Sequence, residues 1–350
     1  MWAYRLTAWG RPPEAVDVAV PTPGPGEVLV RVAGCGLCHS DITMAQMPAE
    51  IGEALGWSMP FTLGHETAGR IAGLGAGVDA WAEGDAVALV SPASCGTCRW
   101  CASGRDVLCP TSTVGRGYGR DGGLAEYVVA PVRDLVPLGP LDPVLAGPLT
   151  DAGATSHHAV ARVAARLGTD STAVVIGAGG LGAFTIQLLR ALSPARVVAV
   201  DPNPDRRALA LELGAHDVLD GVAKGSTRAL RALCDAPTTG GADAVIDLVG
   251  TDATISTGIG ALAPGGSFAL VGAGGGTYPR PWFGNLPRDA EVFTFQGSSI
   301  ADVRAVVGLA AEGRIRCDVD RFAATEVVSA YAAMEAGTLR GRAVVVPPGA

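Results

Sequence analysis

The segment CGTCRWCASGRDVLC places Cys95, Cys98, Cys101 and Cys109 in a C-x2-C-x2-C-x7-C spacing. Four thiolates from one short loop suit a closed tetrahedral Zn²⁺ site, which leaves no position for water or substrate and is therefore structural. Iron–sulfur clusters use the same type of spacing, but Pro follows only Cys109, at Pro110, and there is no second cysteine run. The expected work of this zinc is to order a long loop of a β-rich region. The chain has eight cysteines, four of them within fifteen residues, which favours metal ligation over a disulfide framework.

A second pattern concerns phosphate. VVIGAGGLG sets Gly177, Gly179 and Gly182 in a G-x-G-x-x-G spacing, with Gly180 and Leu181 inside it, after a β-branched run and before a helical one. The first glycine permits a tight turn, the second a close approach of backbone to a pyrophosphate, and the third close packing of helix on strand. The phosphates then face free N–H groups and the positive end of a helix dipole. A following strand, RVVAVD, ends in Asp201, about twenty residues on. An acid there accepts hydrogen bonds from the adenosine ribose and repels a 2′-phosphate, so NAD is expected over NADP. The ordinary reading is that Asp201 only ends a strand beside Pro202. Arg206 suits the ribose or adenine, or else a solvated helix face.

Three further residue types are scattered. Cys38, in CGLCHSD, and His65, in TLGHETAG, are each a ligand that a catalytic zinc uses, yet a cysteine after Gly-Leu is often just buried and a histidine in GHE often a hydrogen-bonded core residue. Asp151, in GPLTDAGAT, is a lone carboxylate among small and apolar residues, and Asp before an apolar run often caps a helix.

The elements that must position these residues fall into two styles. The first part of the chain has short β-branched runs, GEVLVRVAGCGL and GDAVALV, separated by turn-forming PTPGPGE, GLGAGVD and GRDGG. Near GPLTDAGATSHHAVARVAARL the spacing turns helical. Strands and helices then alternate through TAVVIG, RVVAVD, AVIDLVG and SFALVG, the pattern of a parallel sheet covered on both faces. After about residue 297 a helix, ADVRAVVGLAAEG, and β-like pieces ending in GRAVVVPPGA are expected to pack back on the first domain. With 350 residues, two domains are expected: 1–152 plus 297–350, and 153–296. Lys and Arg total 26 against 34 Asp and Glu, a formal charge of −8 with no basic block, which argues against nucleic acid. The glycines in STAVVIGAGGLGAFTIQLL argue for strand, turn and helix over a membrane span. The start lacks the pattern of a signal peptide, and a cytoplasmic location is expected.

CGLCHSD, TLGHETAG, the four-cysteine loop, VVIGAGGLG with VVAVD, and LRGRAVVV together resemble the zinc-dependent alcohol dehydrogenases of the medium-chain dehydrogenase/reductase superfamily, across essentially the whole chain. The resemblance implies a GroES-like β-rich catalytic domain and a Rossmann cofactor domain. It implies two zinc ions per chain and NAD, with Cys38 and His65 as ligands of a catalytic zinc. The third ligand in that family is commonly a second cysteine at the entrance to the cofactor domain. Asp151 stands there instead, and one thiolate fewer should leave the metal a stronger Lewis acid. Glu66 is expected to approach the metal when water is absent, and Asp41 to partner the zinc-bound imidazole.

The reaction so implied is reversible oxidation of an alcohol to a carbonyl, with zinc as Lewis acid and hydride passing to the nicotinamide. Ser40 matches the hydroxyl that relays the alcohol proton toward the ribose. Thr155, Val271, Gly272, Ala273, Gly297, Ser298 and Arg340 match positions that line the cofactor. Where many relatives end the proton relay with a histidine this chain has Thr43, so the proton leaves through ribose and water or through His39. Trp57 and Phe295 are candidate pocket walls, and Gln296-Gly297 suggests room for a secondary alcohol or a bulky primary one. A homodimer or homotetramer through the cofactor domains is expected. The competing readings are a reductase of activated C=C or carbonyl compounds, which in its zinc-free form lacks these ligands, and a non-catalytic NAD-binding relative.

Overall fold

Alternating apolar residues of EVLVRVAGCG form the strand Glu27–Gly36, with Val28, Val30 and Val32 turned into the core. This strand is central to a seven-stranded sheet: it pairs antiparallel with Glu66–Leu74, Tyr127–Pro131 and Arg342–Val346. A three-stranded sheet centred on Trp2–Leu6 joins the same unit. The computed structural model describes residues 1–234 and 240–350, and the chain divides into two units, Met1–Ala154 with Gly297–Ala350, and Thr155–Gln296. The C-terminal strand explains why the tail belongs to the first unit, since Val345 pairs with Cys35 and Val344 with Gly36. The helix Ile300–Ala311, with a Ser299 and Asp302 capping box, leads into it.

The second unit holds a six-stranded, all-parallel sheet. Numbered along the chain, its strands Thr172–Ile176, Arg196–Asp201, Asp217–Asp220, Ala242–Asp247, Leu262–Leu270 and Glu291–Thr294 lie in the order 3-2-1-4-5-6. That order is the doubly wound one, whose ligand crevice lies where strands 1 and 4 diverge. The near-continuous burial of Thr172–Ile176 and Ala242–Asp247 fits strands covered on both faces. STAVVIGAGGLGAFTIQLL resolves into the strand Thr172–Ile176 and the helix Gly180–Leu192, and among the described residues no helix is long and apolar enough to cross a membrane.

Candidate active site

Cys38 occupies the turn where the strand Glu27–Gly36 gives way to the helix His39–Ala45, at the N-cap with extended backbone. Its N–H donates to Asp41 Oδ2 at 2.9 Å, so the carboxylate that closes the capping box also fixes the backbone of the cysteine. His65 follows Gly64, whose φ is +94° and where a Cβ would lie 2.5 Å from Cys35 Sγ. Only glycine fits, which seats His65 and starts the strand Glu66–Leu74. The ring, 5 % exposed, sets Nδ1 3.2 Å from Asp41 Oδ1 and Nε2 3.5 Å from Asp151 Oδ2. Asp151, in the turn before the helix Ala152–Ala164, thus turns its carboxylate to the imidazole from the position of a helix start.

Ligand atoms of Cys38, His65 and Asp151 lie within 4.8 Å of one another. The Nε2–Oδ2 separation of 3.5 Å matches the edge of about 3.4 Å expected for tetrahedral N and O ligands at about 2.1 Å. With Asp41 holding Nδ1, it is Nε2 that faces the other donors, so the set fits a metal with three protein ligands. Burial disfavours the charged imidazole, but Asp41 and Asp151 outweigh it and raise the His65 pKa well above its ordinary value. Ser40 Oγ lies 3.3 Å from Nε2. Thr43 turns its hydroxyl onto the His39 carbonyl, in its own helix.

Glu66 is not one of the three. Its carboxylate, fully buried, takes Arg342 Nη2 on Oε1, while that nitrogen also donates to the Leu37 carbonyl at 2.8 Å. Oε2 is buried without a hydrogen-bond partner, and a Cβ on Gly36 would lie 2.0 Å from it. Burial pushes the Glu66 carboxyl up and the Arg342 guanidinium pulls it down. Sequence reasoning singled out Arg340 and missed Arg342. Arg340 is exposed and its N–H caps Asp320, beside a cavity of about 390 Å³ that Arg316 and Arg321 also line. Also missed were Tyr331, whose hydroxyl donates to Asp41 Oδ2 at 3.1 Å, and Tyr118, whose ring meets His65 edge-on at 6.1 Å. No spacing signal marks either. Trp57 is core, 8 % exposed, with its N–H on the Thr113 carbonyl and its ring against Tyr118, so Tyr118 stands between it and the imidazole.

In the four-cysteine loop, Cys98 Sγ lies 3.6 Å from Cys101 Sγ and 3.8 Å from Cys109 Sγ, and Cys95 and Cys101 are 4.0 Å apart. A tetrahedron with Zn–S of about 2.3 Å has edges of about 3.8 Å, so these donors fit zinc as they stand. Backbone N–H groups of Thr97 and Cys98 hold the Cys95 thiol down, to about 6, as a thiolate ligand requires.

The glycine turn sits at the end of Thr172–Ile176. Gly177 has φ +91°, and a Cβ on Gly182 would lie 2.0 Å from the Gly177 carbonyl oxygen. At Gly179, the N-cap, a Cβ would meet only Arg206, at 3.6 Å or more, so the backbone is open to a phosphate. Asp201, 2 % exposed, accepts from Ala178 N–H and Asn203 N–H, each at 2.9 Å. Arg206 Nη1 lies 3.9 Å from Asp201 Oδ2, over the turn. Ser156 Oγ donates to the Leu181 carbonyl and ties the helix that carries buried Thr155 to the same turn. Val271 and Gly272 donate their N–H groups to the Asp247 carbonyl, and Ala273 follows. Phe295 packs on His158. Thr155, Gly177, Asp201, Arg206 and Val271–Ala273 belong to the second unit; Ser40, Gly297, Ser298 and Arg340 belong to the first.

Residues 24–140 match the family model for the alcohol dehydrogenase GroES-like domain, and residues 180–312 that for zinc-binding dehydrogenases. A NAD-dependent alcohol dehydrogenase of Sulfurisphaera tokodaii is 34 % identical, over 99 % of this chain and 100 % of its own. The chain belongs to the zinc-dependent alcohol dehydrogenases of the medium-chain superfamily. A D-arabinose 1-dehydrogenase (NADP(+)) of Saccharolobus solfataricus, 32 % identical over 99 % of this chain and 97 % of its own, is a further relative. Among solved structures, the alcohol dehydrogenase of Aeropyrum pernix superposes with a TM-score of 0.89 at 31 % identity, covering 99 % of this chain and 100 % of that one. Membership makes this dehydrogenase a GroES-like domain joined to a Rossmann-like one, and an oxidoreductase.

Proposed function

We propose that this dehydrogenase interconverts a secondary or bulky primary alcohol and its carbonyl compound with NAD, using Cys38, His65 and Asp151 as the ligands of a catalytic zinc. The observation that carries the reading is the convergence of three donors from separate turns within 4.8 Å, one of them an imidazole oriented by a buried carboxylate. When bound, zinc supplies Lewis-acid stabilisation to an alcohol oxygen and NAD supplies the hydride acceptor. Cys38 and Asp151 bring negative charge to the site. His65 serves as a neutral ligand through Nε2 once its proton rests on Nδ1, toward Asp41. The Ser40 hydroxyl, 3.3 Å from Nε2, would relay the alcohol proton, accepting it on Oγ as its own proton passes on toward the cofactor ribose. Glu66 is taken up by Arg342, and burial pushes its carboxyl up to about 7.

The cofactor is taken by residues 153–296, with its pyrophosphate on the Gly177–Gly182 turn and its ribose on Asp201 and Arg206. Asp201 supports NAD over NADP, because its second oxygen lies beside Arg206 and would oppose a 2′-phosphate. Cys95, Cys98, Cys101 and Cys109 hold a second, structural zinc. None of the described cysteines is in a disulfide, in keeping with a cytoplasmic enzyme. A homodimer or homotetramer through the cofactor domains is supported by the edge strand Glu291–Thr294, whose Val292 is 47 % exposed.

Metal analysis with an oxidation assay tests the reading. Wild type should hold two zinc per chain, one for each donor cluster. Asp151→Ala should keep one and lose NAD-dependent oxidation of a panel that includes secondary alcohols, benzylic alcohols and D-arabinose. Two tightly bound zinc and full activity in Asp151→Ala overturn the ligand set.

A further inference from the structure

Asp41 is among the most enclosed charges in the chain, 1 % exposed, and it meets three groups. Oδ1 stands at ion-pair distance from His65 Nδ1, 3.2 Å, and neither atom has a hydrogen-bond partner. Oδ2 accepts the Cys38 N–H at 2.9 Å and the Tyr331 hydroxyl at 3.1 Å. One carboxylate therefore governs the ring of one metal donor and the backbone of another. The plane of that carboxylate depends on a side chain 290 residues away, in the helix Val327–Glu335. Tyr331 is itself 9 % exposed and stacks on Tyr4, with centroids 6.2 Å apart and planes 26° apart, which leaves its hydroxyl little freedom. Burial, with the Asp41 charge beside it, keeps that hydroxyl protonated and so a donor.

We propose that Tyr331 is a positioning residue for the metal site, acting through Asp41 on both Cys38 and His65. A buried carboxylate with fewer donors than it can accept re-aims toward those that remain, and the imidazole follows it. The C-terminal helix thus reaches the metal through a hydroxyl, a carboxylate and an imidazole in series. The inference rests on Cys38, His65 and Asp151 binding a metal.

The test uses the full-length enzyme loaded with Co²⁺, and Tyr331→Phe, which keeps the ring stacked on Tyr4 and removes only the hydroxyl. Partners of metal-bound imidazoles typically change metal affinity by about 10–100-fold, and Tyr331 acts one bond further out, so release of Co²⁺ to a chelator should quicken by about tenfold. The d–d bands of the Cys38 site should shift as well. Release from the four-cysteine loop is the internal reference and should not change. Unaltered release and spectrum at the Cys38 site, with any loss of thermal stability equal in metal-free and loaded protein, overturn the proposal and leave a packing role. If the bare Asp41 charge prevents Tyr331→Phe from folding, Asp41→Asn removes that charge. Asp41→Asn and Asp41→Asn with Tyr331→Phe should then release metal at the same rate, and a further loss in the double variant overturns the proposal. A wild-type enzyme that binds metal only at the cysteine loop refutes the site reading itself, and the inference with it.

Discussion

Arg342→Met should destabilise the first unit strongly at alkaline pH and barely at mildly acidic pH. The substitution keeps the side-chain volume on the strand Arg342–Val346 but removes the cation from Glu66, which is fully buried and already has one unpartnered oxygen. Breaking a buried pair from one side costs about 3–5 kcal/mol. A ceiling follows independently, because Glu66 can escape by taking a proton. With the unfolded carboxyl at its ordinary 4.5, neutralising Glu66 at pH 8 costs at most about 4.8 kcal/mol at about 1.36 kcal/mol per unit. At pH 5 the same ceiling is about 0.8 kcal/mol. A carboxyl whose folded pKa is raised destabilises above its unfolded pKa, so the penalty grows as pH rises from about 4.5. Wild type should show the same trend more weakly, since Arg342 opposes burial there. Urea unfolding of chelated protein, followed by tryptophan fluorescence, suits the purpose, because five of the six tryptophans belong to the first unit and the sixth, Trp282, is 72 % exposed. Adding Glu66→Leu to Arg342→Met should restore about 2 kcal/mol at pH 8, leaving the lost hydrogen bond at the Leu37 carbonyl. A loss below about 1 kcal/mol at pH 8, an equal loss at both pH values, or no recovery in the double variant refutes the reasoning.

Asp201→Ala should lower kcat/KM for NAD by about tenfold or more, through the lost ribose hydrogen bonds, and lower that for NADP less, since Arg206 is then free for a 2′-phosphate. Equal use of both cofactors by the wild type contradicts the role given to Asp201. Cys101→Ser should remove one metal per chain and open the loop to trypsin at Arg99 and Arg105, with the Cys38 site still loaded, as limited proteolysis and metal analysis will show. In the wild type, metal at that loop should be lost faster to a chelator at pH 5.5 than at pH 8. Protons compete for the thiolates, and Cys101, pushed up to about 11 by burial, holds its proton more tightly than Cys95. Release independent of pH counts against ligation by these cysteines.

The chain's local chemistry was legible where it lies close in sequence. Four cysteines within fifteen residues can meet only one another, and a G-x-G-x-x-G between a β-branched run and a helix leaves one conformation for its turn, with φ +91° at Gly177. The alternation of strands and helices fixed a parallel sheet for the same reason, since period and connection length are local properties. The dispersed donor set proposed for the catalytic metal was legible only through the resemblance of several motifs together. Cys38, His65 and Asp151 span 114 residues, and nothing in their spacing says that two tight turns and a helix start converge. Only the tertiary structure put Arg342 on Glu66 and brought Tyr331 to Asp41. Both depend on the C-terminal strand lying antiparallel to Glu27–Gly36, a pairing across more than 300 residues that puts Arg342 beneath Leu37. Buried charges are matched by contacts of that range, and sequence period carries no information about them.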